Sequence, residues 1–162
     1  MFCSNNICDI IKFYKDTVYR IAFAHCKNVY DAEDITQEVF LRYLKSKKDF
    51  DSEEHLKAWL IRVTVNISKN LLRSAWFKKT VSISEHENLC AEEQTQPEIY
   101  QAVLSLPEKY RSVILLYYFE EYKVKEIAKI LRRSETAVQT QLQRARAILK
   151  EKLKEDWHNE QS

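Results

Sequence analysis

The chain of 162 residues contains no glycine at all, and this absence removes whole classes of function. Phosphate-cradling loops and dinucleotide fingerprints need glycine where the backbone approaches a ligand closely or takes a positive φ. P-loop and Rossmann chemistry are therefore excluded. No HExxH, nucleophile elbow or catalytic pair occurs either, so no enzyme is expected, with no catalytic residue, no cofactor and no small-molecule substrate. No apolar run approaches the roughly 18 to 20 residues of a membrane span, and MFCSNNICDIIKFYKD lacks the basic start and long apolar stretch of a signal peptide. A cytoplasmic protein without direct membrane insertion is expected. The four cysteines, Cys3, Cys8, Cys26 and Cys90, form no CxxC pair. Reduced, unpaired thiols are the expectation, the alternative being a metal or redox grouping of Cys3, Cys8, His25 and Cys26. None of the four histidines has metal-ligand spacing, and no metal site is assigned.

Hydrophobic residues make up 45% and charged residues 31%, ordinary for a globular protein and too apolar for a disordered one. The length suits one average domain or two helical modules. Net charge is only +2, but its distribution says more. Residues 1–76 carry 12 Lys/Arg against 10 Asp/Glu, residues 77–106 carry 2 against 5, and residues 107–162 carry 12 against 9. Two mildly basic blocks flank an acidic stretch, which suggests separate jobs for separate segments. That stretch, FKKTVSISEHENLCAEEQTQP, has no sustained apolar period and reads as a flexible linker ending at Pro97. The expected organisation is all-α, with small helical domains at 1–76 and 97–156, a linker at 77–96 and a tail at 157–162.

In the first module Ile7, Ile11, Tyr14, Val18, Ile21 and Ala22 recur at helical spacing, and Ile35, Val39, Phe40, Tyr43 and Leu44 do so again. A third helix starts near Glu53 or Glu54 and is expected to bury Leu56, Leu60, Val63, Ile67 and Leu71. In the second module Pro97 and Pro107 each suit the first position of a helix. Val103 and Leu104 belong to a leading helix, and Val113, Leu116, Tyr117 and Phe119 to the next. Tyr117, Tyr118, Phe119 and Tyr122 read as core. KVKEIAKIL follows, and Ser134 caps a last helix whose stripe is Val138, Leu142, Ala145, Leu149 and Leu153.

Two short amphipathic helices joined by a turn at Arg132, Arg133 and Ser134, the second longer and polar outside, form the pattern of a DNA-reading helix-turn-helix. The polar face offers Glu135, Thr136, Gln139, Thr140, Gln143, Arg144, Arg146 and Lys150. Gln pairs with adenine in two places, Thr touches a thymine methyl, and Arg neutralises phosphate. Gln139, Thr140 and Gln143 are accordingly assigned to base edges, and Arg132, Arg133, Arg144 and Arg146 to the backbone. A plain solvated face fits the same charge pattern.

The run LPEKYRSVILLYYFEEYKVKEIAKILRRSETAVQTQLQRARAILKEKL resembles the C-terminal DNA-binding region four of sigma factors, which reads the minus-thirty-five promoter element. The chain departs from the family where Arg132 and Thr136 stand at positions often held by glycine. It departs again where Gln139 and Gln141 replace residues that are frequently basic. Fewer phosphate contacts imply a weaker salt dependence.

In the first module, Asp31, Asp34, Gln37, Glu38 and Arg42 form a polar ridge beside the apolar stripe. Arg62, Asn66, Lys69, Asn70 and Arg73 share a face of the next helix. Both patterns also fit solvated surface. DAEDITQEVFLRYL and FDSEEHLKAWLIRVTVNISKNLLRS closely resemble sigma region two, which helix-turn-helix repressors lack. The resemblance implies that the ridge grips the clamp helices of RNA polymerase. It also implies that Asn66 and Asn70 read minus-ten bases, with Asp49 to His55 as the loop pocket. Trp59 is read as core or as a stacking platform for single-stranded DNA, and His55 lies in the loop. The short connection resembles the extracytoplasmic-function (ECF) group of sigma-70 factors. There the linker threads toward the active-site channel, so Glu85, Glu87, Glu92 and Glu93 act as nucleic-acid mimics or as part of a simple tether. The implied partners are bacterial RNA polymerase core, promoter DNA and, as for many members of the family, an anti-sigma factor. The alternatives are a stand-alone helix-turn-helix regulator and a polymerase-binding module that reads no promoter.

Overall fold

The computed structural model describes residues 6–79 and 98–160, with side chains described through Ser74 and, in the second stretch, through Glu155. Among the described residues all regular structure is helical. The fold is all-α and comprises two compact units, Met1–Cys90 and Ala91–Ser162. Cys3, Cys90, Pro97 and the acidic Glu85, Glu87, Glu92 and Glu93 lie outside the described residues.

Unit one holds α1 (Ile7–Cys26), α2 (Val29–Ser46) and α3 (Glu53–Lys79), the last reaching three residues into the segment read as linker. Each start has a local cause. The Asn28 side-chain oxygen accepts the N–H groups of Tyr30 at 2.9 Å and Asp31 at 3.2 Å, satisfying donors that a helix start leaves open. Ser52 does the same for α3, its Oγ accepting the His55 N–H at 3.1 Å. Lys27 ends α1 in the left-handed region, φ 55°, and returns its N–H to the Phe23 carbonyl at 2.8 Å. The two-residue connection folds α2 back along α1, and α3 packs against both.

The core of unit one is built on Val18, Ile21, Ala22, Ile35, Val39, Phe40, Leu56, Leu60, Ile61 and Val65, all buried. Two residues expected in it are outside, Ile7 at 47% exposure and Leu44 at 43%. A larger correction concerns α3. Its inward row runs through Leu56, Leu60, Ile61, Thr64, Val65 and Ser68, whereas Val63, Ile67 and Leu71 are only half-buried. Two hydroxyls are buried because each finds a partner within its own helix: Thr64 donates to the Leu60 carbonyl at 2.7 Å and Ser68 to that of Thr64 at 2.8 Å. A hydroxyl that bonds back to residue i−4 loses most of the penalty of burial, so small polar residues face inward where apolar ones were expected.

Unit two holds α4 (Glu98–Leu104), α5 (Glu108–Ile114), a π-helical turn (Leu115–Phe119), α6 (Val124–Leu131) and α7 (Glu135–Glu160). Helices α4, α5 and α6 all pack on α7. Val103, Leu106, Val113, Ile114, Leu116, Ile127, Val138, Leu142 and Ala145 form its core, while Leu149 and Leu153 are half-buried. Pro107 precedes α5 as its N-cap, with ψ 145°, instead of occupying the first helical position.

The aromatic run is a further correction. Tyr118 and Phe119 are 52% and 48% exposed, and Tyr117 and Tyr122 are half-buried. The π turn supplies the reason. The Glu120 N–H bonds to the Leu115 carbonyl five residues back, at 3.1 Å, and this wider turn carries the side chains off the α-helical face that periodicity assumes.

Candidate functional site

Unit one presents polar surfaces on α2 and on α3, and unit two presents one on α7. In unit one the ridge of α2 lies at the surface: Asp34, Gln37 and Arg42 are exposed, and Asp31 and Glu38 are half-buried. Glu38 accepts from Arg42 Nε at 2.9 Å one turn on. With both side chains about half exposed, this pair stabilises the helix by only about 0.3–0.5 kcal/mol. It organises a surface more than it holds a fold. Beside the ridge stand two apolar residues that sequence reasoning missed, Tyr30 at 78% exposure and Leu41. Tyr30, Asp34, Gln37, Leu41 and Leu44 follow one another by four, three, four and three residues, so a row of helical spacing displaced from the buried stripe was the available signal.

On α3 the corrected register makes the predicted residues more coherent. Counting 100° per residue from Thr64, His55, Trp59, Arg62, Asn66, Lys69, Asn70 and Arg73 fall within an arc of about 100° opposite the buried row. His55, Asn66, Asn70 and Arg73 are exposed, while Trp59, Arg62 and Lys69 are half-buried. The loop before α3 is a nest of rings. Phe50 meets His55 at 5.3 Å and Trp59 at 5.6 Å between ring centroids, and Tyr43 stands 6.1 Å from Phe50 and 6.2 Å from Trp59. Lys48 Nζ lies 5.8 Å above the Trp59 ring, within reach of its negative face. Burial pushes the Tyr43 hydroxyl above the usual tyrosine range. Trp59 thus packs on the loop, outside the main core, and keeps part of its surface open. Asp51 Oδ2 stands 3.9 Å from His55 Nδ1 at the rim. Sequence reasoning placed Tyr43 in the apolar stripe and Phe50 only within the loop from Asp49 to His55, and did not single out Lys48.

In unit two the helix-turn-helix is formed by α6, the turn Arg132–Arg133–Ser134 and α7. Arg132 has φ 53°, the backbone region that glycine most readily supplies. The Arg133 N–H reaches the Ala128 carbonyl at 2.9 Å and that of Arg132 reaches Lys129 at 3.4 Å, the two bonds of a Schellman ending. Ser134 caps α7 by accepting the Ala137 N–H at 3.1 Å. Thr136, Gln139, Gln143 and Arg144 are exposed on the outer face of α7, with Thr140 half-buried between them.

The four arginines expected along this face divide. Arg132 and Arg144 are exposed, and Arg144 also meets the Tyr110 hydroxyl: burial raises that phenol's pKa, but the Arg144 and Lys109 side chains bring it below its ordinary value. The Arg133 side chain turns into the protein, donating from Nη1 to Gln141 Oε1 at 2.7 Å and to the Lys109 carbonyl at 3.4 Å. Arg146 donates from Nε to the Tyr118 hydroxyl at 2.7 Å and lies 5.4 and 5.7 Å from the Tyr117 and Tyr118 ring centres. That bond pushes Arg146 above its ordinary value. Arg146 borders an apolar groove of about 690 Å³ lined by Ile99, Phe119, Leu149 and Leu153, with Lys150 and Lys154 beside them. Among the described residues no group of three or more His, Cys, Asp or Glu could hold a metal ion, and no helix is long and apolar enough to cross a membrane.

Residues 10–78 match Sigma-70 region 2 and residues 96–149 match Sigma-70 region 4. The chain is 31% identical over 166 residues to the ECF RNA polymerase sigma factor SigW of Bacillus subtilis (strain 168), covering 91% of this chain and 88% of the relative. The chain belongs to the ECF RNA polymerase sigma factors. RNA polymerase sigma factor SigV of the same organism is 30% identical over 150 residues, covering 88% of this chain and 89% of SigV. The fold of this sigma factor is shared with the sigma factor RpoE of Bartonella quintana, solved with the anti-sigma factor NepR. That likeness has a TM-score of 0.72 at 19% identity and covers 90% of this chain and 94% of that one. It is shared also with CnrH, solved with the cytosolic domain of CnrY, at a TM-score of 0.68 and 23% identity, covering 94% and 92%. As an ECF sigma factor it directs core polymerase to promoters, and its family consists of transcription initiation factors. The region 2 match sets aside a stand-alone regulator.

Proposed function

We propose that unit one both docks on core polymerase and reads the opened minus-ten strand, while unit two reads the minus-thirty-five duplex. The docking surface is the α2 ridge of Asp31, Asp34, Gln37, Glu38 and Arg42, with Tyr30 and Leu41 adding apolar contact. Charge on the ridge sets partner choice and assembly rate, and the apolar pair contributes affinity. On α3, Asn66 and Asn70 meet base edges, and Arg62, Lys69 and Arg73 meet phosphates. A base leaving its stack costs a few kcal/mol, which a platform of Trp59, Phe50 and His55 offsets by stacking.

What supports this reading above all is that every α3 residue chosen for its chemistry lies on one outward arc beside the aromatic nest. In unit two Thr136, Gln139, Thr140 and Gln143 face the bases, and Arg132 and Arg144 the phosphates. Arg133 and Arg146 are not among them, because Arg133 turns inward to Gln141 and Arg146 is held by the Tyr118 hydroxyl against two rings; Arg144 also meets the Tyr110 hydroxyl but stays on the outer face of α7. The working boundaries are 1–76, 77–96 and 97–156. The protein acts in the cytoplasm without catalysing a reaction of its own, and an anti-sigma partner covers its faces, as NepR and the cytosolic domain of CnrY accompany their sigma factors. Run-off transcription with core polymerase over a library of promoters tests the whole scheme. Transcripts should start at a small set of related sequences, and a polymerase that gains no start-site selectivity from this chain refutes it.

A further inference from the structure

The turn of the helix-turn-helix carries two adjacent arginines with opposite fates. Arg132 is exposed, while Arg133 is half-buried against α5 and α7. A Schellman ending usually buries an apolar residue at the position Arg133 holds. Here the position is filled by a cation whose Nη1 is shared between Gln141 Oε1, at 2.7 Å, and the Lys109 carbonyl, at 3.4 Å. Burial lowers the Arg133 guanidinium's pKa from its ordinary value, and the charge of the nearby Glu108 carboxylate, whose Oε1 is buried and accepts no hydrogen bond, offsets part of that. Gln141 itself lies on the flank of α7 that turns toward α5, half-buried, two positions from the outward Gln143.

We infer that Arg133 is a positioning residue that clamps the turn and α7 to α5 through Gln141 and the Lys109 carbonyl, and that it fixes the presentation of Gln139, Thr140 and Gln143 without contacting phosphate. The geometry explains why Gln serves at position 141. A second cation there would repel Arg133, whereas an amide oxygen accepts from it. Both bonds leave the single Nη1, whose two N–H directions are fixed in the guanidinium plane, whereas lysine, a point charge on a flexible stem, holds no such fixed directions. A clamp of this kind acts on affinity through orientation, because a misplaced recognition helix loses several base contacts together.

The inference rests on unit two being the reader of duplex DNA, and the test separates the two ideas. Holoenzyme is assembled from core polymerase and the full-length chain, and its binding to a labelled promoter is followed across a potassium chloride series, well below the unfolding midpoint. Arg133→Lys and Gln141→Ala should each weaken binding roughly five- to tenfold, the scale of a lost charge-assisted hydrogen bond. The double variant should bind no worse than the weaker single, and Arg133→Ala should leave the salt slope at its parental value. A phosphate contact behaves otherwise: Arg133→Ala lowers the slope by about 0.9, Arg133→Lys keeps parental affinity, and Gln141→Ala is silent. Any of those three results overturns the clamp. Thermal unfolding of the free chain supplies a DNA-independent check, since losses from Arg133→Lys and Gln141→Ala that simply add also refute it. Gln143→Ala with an unaltered minus-thirty-five preference would instead sink the reading of α7 and leave the coupling between Arg133 and Gln141 to be judged by that unfolding cycle.

Discussion

Replacing Arg132 by glycine should make unit two more stable while weakening its hold on DNA, and the two effects can be measured apart. Arg132 sits at φ 53°, ψ 51° in the left-handed region, where an L-residue with a Cβ pays about 1–2 kcal/mol. Glycine removes that strain but adds about 0.5–1 kcal/mol of entropy to the unfolded chain. The balance is a gain of about 0.5–1 kcal/mol. For a unit of this size each kcal/mol moves the midpoint by roughly 4–8 °C, so thermal unfolding of the full chain should show its C-terminal transition rising by about 2–8 °C. Arg132→Ala keeps the strain and should show no such rise. Both substitutions remove the exposed guanidinium, so both should lower the salt slope of promoter binding by about 0.9. If glycine lowers the midpoint, or if alanine raises it as much, strain at this turn is not what the backbone angles imply.

Other substitutions probe the remaining faces. Asn66→Ala should reduce open-complex formation roughly tenfold or more while core binding stays at the parental level, because Asn66 is exposed opposite the buried row and its proposed contact is with the melted strand; permanganate footprinting and a core-binding titration read the two separately. Gln143→Ala should relax minus-thirty-five preference by about 1–3 kcal/mol at one base position, measured over a substituted promoter set. Ser134→Ala should destabilise unit two by about 1 kcal/mol through loss of the cap to Ala137, seen in denaturant unfolding. Leu60→Ala, a deletion in the middle of the three-helix core, should cost unit one about 2–5 kcal/mol.

The parts of the fold that were legible in the sequence are those where one residue type has one stable place. The stripe of Val138, Leu142 and Ala145 is buried as its spacing requires, and Ser134 caps the helix it precedes. The register of α3 was misread because Thr64 and Ser68 hide their hydroxyls in their own helix, a solution that hydropathy does not encode. Tyr118 and Phe119 were misplaced because a π turn has no separate sequence period. For the candidate site, residue type and motif picked out residues that the structure gathers onto shared helix faces, while the side-chain contacts among them were not legible. Residue type does not mark Arg133 and Arg146 as engaged: Arg133 reaches Gln141 across the turn, eight residues on, and Lys109 24 residues back, and Arg146 reaches Tyr118 28 residues back.

Those two engaged arginines change the electrostatics of DNA binding by unit two. If all four turn-and-helix arginines met phosphate, they would contribute about 3.6 to the slope of binding against salt, at about 0.9 each. With Arg133 held by Gln141, and Arg146 held by Tyr118, the proposed phosphate contacts are Arg132 and the outward Arg144, whose bond to the Tyr110 hydroxyl leaves it exposed, and the contribution falls to about 1.8. Gln139, on the outward face where the family is often basic, adds none. The affinity not supplied by counterion release has to come from amide and hydroxyl contacts to bases, which are insensitive to salt and sensitive to sequence. Joint substitution of Arg132 and Arg144 by glutamine should therefore lower the slope of holoenzyme binding by about 1.8, whereas Arg146→Gln should leave it unchanged. Gln139→Lys should raise it by about 0.9 and strengthen binding to matched and mismatched promoters alike, eroding discrimination at low salt. If Arg146→Gln lowers the slope as far as Arg132→Gln does, the Tyr118 hydrogen bond gives way when DNA arrives, and Arg146 belongs with the phosphate contacts after all.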